Sequence, residues 1–246
     1  LNTLSDRPAI QLGPGLFITG TDTGVGKTAV ACALLRLADR VGRSWVPFKP
    51  VETGCLPDAA DADALWKAAR PAFPREHAVL YRFPLPAAPA VAATAAGTSI
   101  DIESIIARAI QLRAAGQGIL VEGAGGLLVP YRDTFTTADL AARFDLPIVV
   151  VARDALGTIN HTALTLSEIR RRSLPLAGLV LVETVPSSGE PSLDHARQIA
   201  ALTGTTPLGR LPFVPGLDPD HLADALAAAL RPTDLERLLA GRALQL

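Results

Sequence analysis

Methionine is missing from the sequence altogether, and Cys32 and Cys55 are its only cysteines. Two cysteines, placed like ordinary core and loop residues, build neither a disulfide framework nor a zinc site, so a reducing cytoplasm is the expected setting. A charge bias is missing too: 23 basic residues face 24 acidic ones. Without a long-range field, binding to nucleic acid or to an anionic membrane is not expected, and any bound anion must be held locally. Long apolar runs are also lacking. The longest uncharged stretch, Phe83 to Ile100, is mostly alanine and contains Pro84, Pro86 and Pro89, which excludes it as a membrane-spanning helix. The start, LNTLSDRPAIQLGPG, has neither the basic residues nor the apolar block of an export signal. Finally, lysine is scarce, with only Lys27, Lys49 and Lys67 against 20 arginines. Arginine replaces lysine readily on a solvated surface but not where a compact ammonium is needed. Lys27 and Lys49 therefore invite a functional reading, whereas Lys67 reads as a surface residue of a polar helix.

What is present is a chain of 246 residues, 49% apolar and 19% charged, enough for one large folded domain over residues 1–246. Apolar runs at Gly15 to Thr19, Trp45 to Phe48, Gly118 to Val121, Pro147 to Ala152 and Ala177 to Val182 read as strands buried on both faces. Helical patterns at Lys27 to Val41, Ala62 to Ala69, Ile102 to Ala115, Thr137 to Phe144, Asn160 to Arg171 and Leu193 to Leu202 separate them. Strand followed by helix, repeated, predicts an α/β fold: an open, doubly wound, mostly parallel sheet with helices on both faces and ligands at the strands' C-terminal ends. Pro71 to Gly97, with five prolines, breaks the rhythm and is expected to cross the active face as an ordered excursion. The tail DLERLLAGRALQL reads as a closing helix rather than a membrane anchor.

Gly20-Thr-Asp-Thr-Gly-Val-Gly-Lys-Thr28 follows a strand and opens a helix. Glycines let N–H groups curl around phosphate oxygens, the helix N-terminus adds partial positive charge, Lys27 reaches the outer phosphates and Thr28 offers a hydroxyl to Mg²⁺. The first glycine sits one residue earlier than the usual spacing. Glu122 ends the strand in GILVEGAGG, where an acid points into the crevice and can hold the metal. Lys49, in KPVETG, also ends a strand, where it can neutralise charge on a transferring phosphoryl group. Asp61 and Asp63 fall in a helical first turn, where capping alone accounts for them. The GTINH turn, Gly157 to His161, repeats the strand, turn and helix arrangement without a lysine and suits a carboxylate. His77, His161, His195 and His221 have no ligand-spaced partners. Arg170 to Arg172 reads as a solvated, dipole-compensating cluster.

With GTDTGVGKT, KPVETG, VEGAGGLLVP and GTINHTALT in this order, the chain resembles the dethiobiotin synthetases, phosphate-loop enzymes of biotin synthesis, from about Phe17 to about Pro215. The resemblance implies an ATP-driven cyclo-ligase in which 7,8-diaminononanoate takes up CO₂ as a carbamate. Phosphorylation then activates the carbamate, and the second amine closes the ring. By motif, it implies catalytic roles for Lys27 and Lys49 and a Mg²⁺ site at Thr28, Asp63 and Glu122. It further implies a nucleotide site made of Gly24, Val25, Gly26, Lys27, Thr28, Ala29, Asp63, Glu122, Gly123, Ala124 and Gly125, with Glu183, Thr184, Pro212, Phe213 and Val214 near the base. Thr23 and Thr53 would line the diamine pocket. Gly157, Thr158, Ile159 and Asn160, offered from a second subunit of a homodimer, would receive the substrate carboxylate. Two positions depart from the pattern: Gly24 stands where many members carry Glu, and Glu183 with Thr184 where an Asn often reads the base. The nucleobase is therefore open, and other nucleoside triphosphates enter beside ATP. A partitioning or scaffold ATPase, the competing class, usually carries another lysine near the start of its loop, where this chain has Thr21 and Asp22. An amide ligase of cobalamin synthesis shares the amino-terminal pattern but needs a fused glutaminase domain.

Overall fold

The computed structural model describes residues 8–55, 58–186 and 194–244. Its strands are β1 (Gly15–Gly20), β2 (Trp45–Thr53), β3 (Val79–Phe83), β4 (Gly118–Gly126), β5 (Pro130–Arg132), β6 (Phe135–Thr136), β7 (Ile148–Arg153), β8 (Leu176–Val182) and β9 (Gly209–Leu211). Seven of them form one sheet in the order β3-β2-β4-β1-β7-β8-β9, with every pairing parallel, and β5 and β6 make a small antiparallel hairpin. The helices are α1 (Lys27–Arg40), α2 (Ala60–Ala69), α3 (Pro89–Ala95), α4 (Ile102–Ala114), α5 (Thr137–Phe144), α6 (Thr158–Arg171), α7 (His195–Thr203), α8 (Pro219–Ala229) and α9 (Pro232–Leu239). Among the described residues, no helix is long and apolar enough to cross a membrane.

Alternation along the central strands divides the core. Phe17, Val121, Ile148 and Val150 face one layer, built with Ile105, Phe144 and Leu166. Leu16, Ile18, Leu120, Val149 and Val151 face the other, built with Val30, Leu34, Leu222 and Leu238. Successive strand side chains point to opposite faces, and burying each such side chain contributes about 1.5–3 kcal/mol. The near-continuous apolar runs therefore follow from helices covering both faces, as the sequence predicts.

The expected elements are all present, with shifts at their ends. β2 runs past the expected stop at Phe48: it pairs with β4 through Trp45–Phe48 and then with β3 through Lys49–Thr53. Pro50, which has no N–H to donate, lies at this change of partner and so does not end the strand. α6 starts at Thr158 and α2 at Ala60, each two residues early, and α7 starts at His195; the expected start at Leu193 lies outside the described residues, as do the first seven residues. The Pro-rich excursion holds edge strand β3 and helix α3, which starts at a proline suited to the first helical turn. α9 closes the domain, with Leu238 and Leu239 in the core. The arginine cluster is paired rather than merely solvated: Arg171 and Arg172 grip Glu168, and Arg172 reaches Asp139 of α5 at 2.8 Å.

Candidate active site

Four of the nine helices among the described residues begin with a side-chain cap. Asp101, Thr136, Asp194 and Asp218 accept first-turn N–H groups of α4, α5, α7 and α8. α1 has no such cap: Gly26 precedes it in the left-handed conformation, φ 94°, and the first-turn donors are left for a ligand. Only glycine fits there, since a Cβ would lie 2.7 Å from the Val182 side chain. The loop opens onto a cavity of about 780 Å³ at the C-terminal ends of β1, β2, β4 and β8, within the usual range of roughly 300–1,000 Å³ for small-molecule sites.

Inside it, the charges converge. Lys49 is nearly buried and donates to Glu122 Oε1 at 2.5 Å and to Asp61 Oδ2 at 2.7 Å. The Thr28 hydroxyl donates to the same Glu122 oxygen at 3.1 Å, and Lys27 Nζ donates to the Asp22 carbonyl at 3.0 Å. Burial drives the Lys27 ammonium below its ordinary pKa, with Glu122 opposing the fall and Lys49 adding to it. Burial works against the Lys49 ammonium as well, but Glu122 and Asp61 outweigh it and hold Lys49 protonated far above the lysine range. Burial raises the Glu122 carboxyl despite Lys49, whereas at Asp61 the pull of Lys49 and Thr28 overcomes burial and lowers the pKa.

Glu122 Oε2 is buried with no hydrogen-bond partner. An orphaned carboxylate oxygen beside the Thr28 hydroxyl and the Asp61 carboxylate is a hard-oxygen donor set of the kind that holds Mg²⁺ together with substrate phosphates. Among the described residues, no group of three or more His, Cys, Asp or Glu is placed to hold a metal by itself. The set therefore fits an ion completed by nucleotide and water.

Thr23, Gly24, Gly26, Lys27, Thr28, Ala29, Thr53, Glu122, Ala124, Gly125, Glu183, Thr184, Pro212, Phe213 and Val214 line this cavity. Asp63 does not: it pairs with Arg75 at 2.8 Å, and the acid facing Lys49 is Asp61. This corrects the motif-based assignment, because residues two apart on a helix point about 200° from each other. Val25 and Gly123 support the walls instead. Val25 is buried beneath the loop, and a Cβ on Gly123 would lie 2.9 Å from Thr137. Gly157, Thr158, Ile159 and Asn160 lie outside the cavity. Thr158 and His161 line a separate dent of about 10 Å³ behind the loop, beside Thr21, Asp22, Arg153 and Leu156.

The motifs left three contributors unassigned. Residues 86–89 of the excursion reach the cavity wall. Tyr131, fully buried, accepts the Ala124 N–H at 3.1 Å and steadies the end of β4, and burial pushes its hydroxyl up to about 12. Glu52 lines the cavity and accepts two N–H groups of α2, and burial raises its pKa despite them. Its place in KPVETG is the only sequence signal for it.

A carboxyl that holds its proton more tightly when folded gives stability below its ordinary value of 4.5 and loses it as the pH rises through the folded value. The stability advantage of wild type over Glu122→Gln should therefore shrink as the pH rises above about 4.5. Denaturant unfolding of both proteins across pH 4–8 measures it; a constant difference would mean that Glu122 titrates as in the unfolded chain.

Fold and site together define the class: a phosphate-loop nucleotide-binding α/β protein. A family model described as an AAA domain matches residues 14–221. Relatives named ATP-dependent dethiobiotin synthetase BioD include one from Anaeromyxobacter dehalogenans (strain 2CP-C), 47% identical over 82% of this chain and 92% of its own length. Another, from Rhodopseudomonas palustris (strain TIE-1), is 40% identical over 89% and 95% of the two chains. The chain belongs to the ATP-dependent dethiobiotin synthetase family. Among solved structures, the MinC:MinD cell division protein complex of Aquifex aeolicus matches with TM-score 0.58 and 15% identity, covering 95% of this chain and 98% of that one, a likeness of fold.

Proposed function

We propose that the chain carries the activity for which its relatives are named, closing the ureido ring of dethiobiotin from 7,8-diaminononanoate, CO₂ and a nucleoside triphosphate. The observation that carries this reading is Lys49, an ammonium held between Glu122 and Asp61 and facing a phosphate loop. One substrate amine adds to CO₂ and loses a proton, giving a carbamate. The carbamate oxygen attacks the γ-phosphorus and nucleoside diphosphate leaves. The second amine then attacks the carbonyl carbon of the mixed anhydride and expels inorganic phosphate as the ring closes. Lys27 leaves the Asp22 carbonyl for the outer phosphates, and Lys49 turns from its carboxylates toward oxygens shared by carbamate and γ-phosphoryl group. Thr28, Asp61 and Glu122 hold Mg²⁺, which neutralises phosphate charge when bound. Thr23 and Thr53 flank the diamine.

The uncapped start of α6, with the Thr158 hydroxyl buried and unpartnered, suits a carboxylate but lies outside the cavity, which supports its service to the site of a second subunit. The free, buried Cys32 and Cys55 support a reducing, cytoplasmic setting. In the test, phosphate release should require both the diamine and bicarbonate and should yield dethiobiotin by mass spectrometry. Release stimulated by DNA or anionic vesicles, with no dependence on the diamine, would instead make the chain a nucleotide switch.

A further inference from the structure

One buried acid at the cavity has no part in that chemistry. Glu52, 5% exposed, accepts the Asp61 N–H on Oε1 and the Ala62 N–H on Oε2, each at 2.9 Å. These donors belong to the first turn of α2, whose N-cap, Ala59, has no side-chain oxygen to offer. The cap that Asp101 or Asp218 gives its own helix comes here from a sheet strand nine residues upstream. A carboxylate gripping two consecutive N–H groups fixes both the position and the rotation of the turn. Rotation decides which acid faces the cavity, because Asp61 points to Lys49 and Asp63 to Arg75. Lys49 lies on the same strand as Glu52, so β2 carries both the ammonium and the clamp for its carboxylate partner.

We propose that Glu52 is a positioning residue: it clamps the first turn of α2 so that the Asp61 carboxylate meets Lys49 and the magnesium ligands, without itself touching substrate. The proposal rests on the reading of Asp61 as a magnesium ligand. Groups that orient a metal ligand typically cost 10–100-fold in metal affinity when replaced.

The test compares Glu52→Gln, Asp61→Asn and the double variant in the full-length protein. Calorimetric titration with a non-hydrolysable ATP analogue, without diamine, gives the Mg²⁺ concentration for half-maximal binding. Glu52→Gln should raise that midpoint on the order of 10-fold. Affinity without Mg²⁺ and the KM for the diamine should stay as in wild type, and the double variant should go no further than Asp61→Asn. If Asp61→Asn moves the midpoint and Glu52→Gln does not, or if the two shifts multiply, the positioning role is overturned. A raised KM for the diamine with an unmoved midpoint would make Glu52 a substrate contact and overturn it too. If Asp61→Asn leaves the midpoint in place, the metal role of Asp61 falls and this proposal with it, while diamine-dependent turnover by wild type separately judges the synthetase reading. Should Glu52→Gln unfold, Glu52→Asp, too short to span both N–H groups, carries the same expectation.

Discussion

Lys49→Gln is expected to lower turnover on the order of 10²–10³-fold, the usual loss when one preorganised donor to developing charge is removed. Nucleotide affinity should change little, because the loop glycines, the α1 N-terminus and Lys27 remain. Stability should fall as well: Glu122 is fully buried, and removing the partner of a buried charge costs about 3–5 kcal/mol. Lys49→Arg should not rescue turnover, since a planar guanidinium does not fit where a compact ammonium sits between two carboxylates. Steady-state phosphate release, nucleotide titration and thermal unfolding of both variants separate these effects. Turnover at the wild-type rate in Lys49→Gln would remove Lys49 from the mechanism.

Glu122→Gln should have the next largest effect, with two signatures. It removes a charged oxygen from the proposed metal set, so the Mg²⁺ concentration for half-maximal turnover should rise at least on the order of 10-fold. It also removes the carboxylate that holds up the pKa of Lys27, already lowered by burial. Lys27 would then lose its proton at lower pH, and the alkaline limb of the pH–rate profile should move toward neutrality. A metal titration superimposable on that of wild type would exclude Glu122 as a ligand.

Particular residues show how much of this was legible in the sequence. GLFIT and PIVVVA read as strands because burial on both faces removes any polar alternation, and the phosphate loop follows from the strand before it and the helix after it. β3 is harder to see: at the sheet edge, only its two ends are buried, so VLYRF carries neither a continuous nor an alternating signal. β9 is three residues long, and α8 lies in an alanine-rich stretch whose start signals, the Asp218 cap and Pro219, the strand-and-helix rhythm passes over. Within the site, Lys27 was readable because it opens α1, and Lys49 and Glu122 because each directly follows the buried apolar run of its strand, although β2 and β4 continue beyond them to Thr53 and Gly126. Asp61 could not be separated from Asp63, since both occupy one helical turn and the rotation of α2 is set by tertiary contacts. Those contacts come from Glu52 and Arg75, nine and twelve residues away from the acids they hold.

The scarcity of lysine has a practical consequence. Lys27 and Lys49 are shielded from solvent, and Lys67, on the outer side of α2, is exposed. Apart from the α-amino group, an amine-directed reagent used on the folded protein therefore meets a single accessible side chain. A fluorophore conjugated to Lys67 rides on the helix whose first turn carries Asp61, and its emission reports shifts of that helix while the nucleotide crevice stays chemically untouched.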